Sequence, residues 1–166
     1  MCKRTLDIQS AFRSFSSVDG WTSPHAVTFT LKQARTFDSD RGSVWLPITP
    51  ELASKNLRHF HNRLNQACYG NAGARFNKHV PLIPVLEGGN GKRLHYHCMI
   101  ECPRDDLRAE FPDLLASLWR QTPWGYDQVD IQPNADNGFI NYISKLRDKP
   151  NYADAVDWDN YHTFDR

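Results

Sequence analysis

The sequence predicts an α+β fold of the ferredoxin-like or RRM-like kind, βαββαβ followed by a C-terminal helix, with a central antiparallel sheet and helices packed on one face. Three observations predict it. Alternating apolar and polar residues recur in separated strand-length runs, apolar residues spaced by three and four recur between them, and the runs follow the order strand, helix, strand, strand, helix, strand, helix. At 166 residues, 40% of them hydrophobic and including five Trp and nine Phe, the chain can bury a substantial core. It reads as one domain, residues 1–166. The core covers about 25–147, with an N-terminal extension over 1–24 and an acidic, aromatic tail over 148–166.

The extension mixes Phe12, Phe15 and Trp21 with Ser, Asp and Gly, and a short helix near Ile8 to Phe15 fits it. From His25 to Lys32 the pattern is strand-like, with Val27, Phe29 and Leu31 on one face and Thr28, Thr30 and Lys32 on the other. Gln33 to Pro47 is polar and charged and longer than a simple connection needs, so it reads as a loop, either disordered or functional. Thr49-Pro50-Glu51 then supplies an N-cap, a proline at the first helical position and an acid in the first turn. Ala53, Leu57, Phe60, Leu64 and Ala67 continue that helix on one face until Gly70.

Residues 71–79 read as a flexible basic loop. Val80 to Leu86 is the second strand, and Pro81 and Pro84 place it at an edge or a bulge. Arg93 to Glu101 is the third strand. A helix starts at Pro112 and runs through Leu114, Leu115, Leu118 and Trp119, and Tyr126 to Gln132 is the fourth strand, with Val129 and Ile131 facing inward. Asp136-Asn-Gly opens a last amphipathic helix, Phe139, Ile140, Ile143 and Leu146, ending near Arg147.

The net charge of +1 hides an asymmetry. Residues 1–80 carry 11 Lys and Arg against 5 Asp and Glu, whereas residues 81–146 carry 6 against 9 and residues 147–166 carry 3 against 5. A basic patch in the N-terminal half is the footprint expected for nucleic acid. Four cysteines without a Cys-x-x-Cys pair do not make a disulfide scaffold, and reduced, core-filling thiols are expected. No apolar run approaches a membrane span, so a soluble, cytoplasmic protein is expected.

The chemistry gathers between Glu87 and Cys102. On a strand, His95 and His97 share a face while Tyr96 takes the other, and a hairpin through Gly88 to Lys92 brings Glu87 beside them. Two imidazoles and a carboxylate on a sheet make a divalent-metal site, and Glu101, on the same face as His97, is the rival carboxylate. His59 and His61 contain the same triplet on a helix, where positions i and i+2 diverge, so they read as solvated residues that cannot share an ion. On the last helix Tyr142 and Lys145 project from one face. A phenol needs a cation or a metal to serve as a nucleophile. Taken alone, that segment reads equally as an ordinary amphipathic helix with a snorkelling Lys.

Together, Val27-Thr28-Phe29-Thr30-Leu31, Glu87 with His95-Tyr96-His97, and Tyr142-Ile143-Ser144-Lys145 resemble the three ordered motifs of HUH endonucleases. The single tyrosine and the Tyr-x-x-Lys spacing are most similar to the rolling-circle replication initiator (Rep) branch. The resemblance implies that His95, His97 and Glu87 hold Mn²⁺ or Mg²⁺, that Tyr142 attacks a phosphodiester of single-stranded DNA, and that Lys145 orients the phosphate or stabilises the phenolate. It implies nicking and strand rejoining through a 5′-phosphotyrosine link, as in plasmid or phage replication. The absence of a Gly-x-x-x-x-Gly-Lys loop then implies a separate helicase and polymerase. Arg35, Arg41, Arg75, Lys78, Lys92 and Arg93 are the expected DNA contacts, each equally readable as a solvated loop cation. A single-tyrosine HUH transposase is the close alternative. A non-haem Fe(II) enzyme and a non-catalytic RRM-like nucleic-acid-binding module are more distant ones.

Overall fold

The computed structural model describes residues 3–89, 91–145 and 152–164. The chain runs α1 (Lys3–Phe15), β1 (Pro24–Leu31), β2 (Ala34–Ser39), β3 (Gly42–Pro47), α2 (Pro50–Tyr69), α3 (Asn71–Arg75), β4 (Leu82–Gly89) and β5 (Lys92–Glu101). It continues with α4 (Phe111–Arg120), β6 (Gly125–Pro133), α5 (Asn137–Ile143) and α6 (Tyr152–Ala155). Short 3₁₀ turns cover Asp105–Leu107 and Trp158–Asn160.

A four-stranded antiparallel sheet has the order β4-β5-β1-β6. Counting only those strands in chain order, the arrangement is 2-3-1-4, the order expected of the ferredoxin-like fold. The strict alternation of burial along β1 follows from its sequence: Val27, Phe29 and Leu31 are fully buried while Thr28 and Thr30 are half-buried. That apolar face packs under α2 and α4, with Phe29 between Phe60 and Trp119 at ring-centroid distances of 4.9 and 4.3 Å. The cap of α2 is as expected, since the Thr49 side chain accepts from the Leu52 amide.

Helices occupy both faces rather than one. Ile83, Val85 and Met99 project from the opposite side of the sheet and are covered by Phe12 of α1, Ile140 and Ile143 of α5, and Ala155 and Val156. That second core leaves uncovered the part of the face where the histidines lie. Edge strand β4 accommodates Pro84, as its prolines suggested, and the tail lies along it through bridges from Leu82 to His162 and from Val85 to Val156.

Four expectations need correction. Residues 33–47 form a β-hairpin, β2 with β3, rather than a loop; its strands are exposed on both faces, so no apolar alternation betrays them. The segment 71–79 contains the short α3. The last helix stops at Ile143, with Ser144 and Lys145 beyond it; its expected end near Arg147 lies outside the described residues. His61 is buried, not solvated, while His59 is exposed. Cys68, Cys98 and Cys102 are buried free thiols, as expected. Among the described residues no helix is long and apolar enough to cross a membrane.

Candidate metal and nucleophile site

Three strands build the site. Thr30 of β1 and Glu87 of β4 flank His95 of β5 in one row of the sheet, and Thr28 and Val85 flank His97 in the next. The side chains of Glu87, His95 and His97 therefore share a face, and the Glu87 Oε2 atom lies 3.8 Å from His95 Nε2 and 3.5 Å from His97 Nε2. His97 is buried and His95 half-exposed, so the cluster opens to solvent on one side.

The other ring nitrogens are held from behind. His95 Nδ1 donates to the Arg93 carbonyl at 2.9 Å, which leaves Nε2 as the lone-pair atom facing Glu87. His97 Nδ1 is hydrogen-bonded to the Thr28 hydroxyl at 3.0 Å. Such a bond fixes a ring's orientation and, where the ring donates, raises its basicity towards a metal. Two imidazoles and one carboxylate whose atoms lie within 4.8 Å of one another meet the donor chemistry of a divalent-metal site.

The glycines of the hairpin define its register rather than loosening it. Gly88 has φ +109°, and a Cβ there would overlap the Arg93 carbonyl group, so only glycine permits the register shift that follows Glu87. The rival carboxylate is committed elsewhere: Glu101 is buried and accepts hydrogen bonds from the Thr22 amide and hydroxyl and from the Ser23 amide. Tyr96, on the opposite face, donates to Asp157 at 2.8 Å, and burial pushes its phenol well above the ordinary range.

Helix α5 lays Tyr142 against this cluster. Asp136 caps the helix by accepting from the Phe139 amide, and Ile140 and Ile143 bury against the sheet, so Tyr142 faces outward beside His97. Its ring stands edge-on to His97 with centroids 5.4 Å apart, and it is 47% exposed. Lys145 follows the helix and reaches back, with Nζ 4.9 Å from the Tyr142 ring centroid. The helix end is pinned by α1, a support that no local sequence signal announced: Gln9 donates to the Ser144 carbonyl and Arg13 to the Ser144 hydroxyl at 2.7 Å.

The expected DNA-contact residues divide into three groups. Arg93 lies on β5 next to the cluster, with its guanidinium 5.2 Å from the centroid of the Tyr126 ring, and Lys92 pairs with Gly89 in the adjoining turn. Arg35 reaches over Phe37 and Trp124, and Arg41 is exposed in the turn of the β2–β3 hairpin. Arg75 and Lys78 precede β4, at the end of the sheet opposite Glu87, roughly 16 Å along the strand.

The sequence model of a replication-associated protein family, the ORF2 type, matches residues 24–151, most of the chain. The chain belongs to that family. The matched span of this replication-associated protein contains β1, the Glu87–His95–His97 cluster and Tyr142, while α1 and residues 152–164 lie outside it. No curated protein and no solved structure matches the chain. Family membership carries the coarse role, a replication-associated protein of the rolling-circle type.

Proposed function

We propose that this chain is a metal-dependent nickase and joining enzyme for single-stranded DNA, with Tyr142 as its nucleophile. The observation that carries the reading is the exposed Tyr142 ring, edge-on to His97 in a three-residue donor cluster. Glu87, His95 and His97 would hold the ion, Mn²⁺ or Mg²⁺, with imidazole donors leaning towards Mn²⁺. When bound, that ion supplies Lewis acidity to a phosphodiester oxygen.

The chain's own groups supply the rest. Tyr142 Oη forms the new bond to phosphorus as the bond to the departing 3′-oxygen breaks; the tyrosine loses one proton and the 3′-oxygen gains one. The product is a 5′-phosphotyrosine link and a free 3′-hydroxyl. Because the phosphoester bond is exchanged rather than hydrolysed, a later 3′-hydroxyl can reverse the step and rejoin the strand. The Lys145 ammonium beside the ring favours the phenolate and the phosphate. Arg93 with Tyr126, Lys92, and Arg35 with Trp124 offer cations and rings to phosphates and bases next to the site. Unwinding and extension then fall to a separate helicase and polymerase. A transposase would use the same site, and the family membership favours replication.

The test is a covalent-adduct assay. Incubated with Mn²⁺ and a pool of 3′-labelled single-stranded oligonucleotides, the protein should carry label into a protein-sized band on a denaturing gel. Chelator, His97→Ala and Tyr142→Phe should each remove that band. Equal labelling of Tyr142→Phe would refute the mechanism.

A further inference from the structure

A second histidine cluster lies outside the site described above. His61 of α2, His79 in the segment before β4, and His162 in the tail bring one ring nitrogen each to within 4.8 Å of one another. The ring centroids are 4.6 Å apart for His61 and His162, 4.5 Å for His79 and His162, and 6.0 Å for His61 and His79. A column of stacked rings would separate its outer pair by twice the inner spacing, so these three form a triangle. Rings bound to one tetrahedral ion through bonds of about 2.1 Å sit roughly 5 Å apart, which matches its size.

Hydrogen bonds also assign the lone pairs. His61 Nε2 lies 2.8 Å from the Val80 carbonyl, an acceptor only, so Nε2 carries the proton and Nδ1 is free to bind a cation. Asn65 is oriented by its Oδ1, which accepts from the Val80 amide at 2.7 Å, and it therefore turns its NH₂ group towards His79 Nδ1, 3.3 Å away. That makes His79 Nδ1 a lone-pair atom too, with Nε2 donating to Asn77 at 3.1 Å. A ring donating one nitrogen to a carbonyl and presenting the other is the usual arrangement of a metal-bound histidine. Burial lowers the His61 imidazole to about 4, so it is neutral near neutral pH, as a ligand must be.

We infer that His61, His79 and His162 form a second metal site, selective for a borderline divalent transition ion such as Zn²⁺. Three neutral imidazoles suit Zn²⁺, Co²⁺ or Ni²⁺ far better than Mg²⁺, which prefers oxygen. The role is structural. His162 already exchanges two backbone hydrogen bonds with Leu82, at 2.6 and 2.9 Å, so an ion here fastens the tail to the edge of β4 and to α2. The site stands at the start of β4, at the far end of that strand from Glu87, and does not depend on the nickase reading.

The test uses the full chain carrying His95→Ala and His97→Ala, stripped with chelator and then titrated. Calorimetry should show one equivalent of Zn²⁺, Co²⁺ should develop the visible absorption of a tetrahedral centre, and Zn²⁺ should raise the thermal midpoint. Adding His79→Gln, an exposed position that leaves the core untouched, should weaken Zn²⁺ binding at least tenfold, as should His162→Gln. Circular dichroism checks that each variant is folded. Absence of Zn²⁺ binding in the parent variant, or equal affinity after His79→Gln and His162→Gln, would overturn the inference. The adduct assay with Mn²⁺ reads the first site separately.

Discussion

The Thr28 hydroxyl lies 3.0 Å from His97 Nδ1, across the β1–β5 ladder, while the same imidazole points its Nε2 at Glu87. A residue on the first strand thereby orients a metal donor on a neighbouring one. Thr28→Val keeps the shape and removes the hydrogen bond. Metal affinity at the Glu87–His95–His97 cluster should fall about 10- to 100-fold, the usual effect of losing such a support. Mn²⁺ titration of adduct formation reads this directly: the half-saturating concentration should rise, and saturating Mn²⁺ should restore most of the yield. An unchanged Mn²⁺ dependence would remove Thr28 from the account.

Gly88 controls where Glu87 lands. With φ +109° and the Arg93 carbonyl standing where a Cβ would have to sit, Gly88→Ala must move one strand of the hairpin. The cost should be about 1–3 kcal/mol in stability, and the displaced Glu87 should also raise the Mn²⁺ requirement. Urea unfolding and the same Mn²⁺ titration measure the two effects. Stability and Mn²⁺ dependence both equal to the parent would show that the turn is not constrained as described.

Much of this site is legible in the sequence because strands alternate with period two. That periodicity alone puts His95 and His97 together, places Tyr96 opposite, and predicts the Val27–Phe29–Leu31 face. What is illegible depends on distant partners. The β2–β3 hairpin buries neither face, so it lacks the alternation that marks β1. His61 reads as solvated because the groups that bury it, Val80, His79 and His162, come from later in the chain. Likewise Glu101 rivals Glu87 in the sequence, and only the folded chain brings Thr22 and Ser23 to occupy it.

Tyr96 and Asp157 tie the tail to the sheet. Asp157 accepts from the Tyr96 hydroxyl at 2.8 Å, the Ser54 hydroxyl at 3.0 Å and the Asn160 amide at 2.9 Å. Tyr96→Phe removes one donor to a charged acceptor, a loss of about 1.5–3 kcal/mol. Chemical denaturation should show that loss, while adduct formation per folded molecule should stay at the parent level, because Tyr96 lies on the face away from Tyr142.

Acid should destabilise the protein partly through His25. This ring is buried against Phe111, with centroids 5.2 Å apart, and its Nδ1 lies 3.0 Å from the Ser23 carbonyl. Burial lowers its pKa below the ordinary imidazole value, outweighing the opposing effects of Ser23 and Glu101. As the pH falls the unfolded chain takes up the proton first, so the stability His25 contributes is present above the unfolded pKa of about 6.5 and is lost as pH falls through the lower folded value. His25→Phe keeps a ring against Phe111 without the titration. In chelator, the slope of unfolding free energy against pH just below 6.5 should flatten by at most one proton, about 1.4 kcal/mol per pH unit. An identical slope in parent and variant would assign the acid sensitivity to other groups.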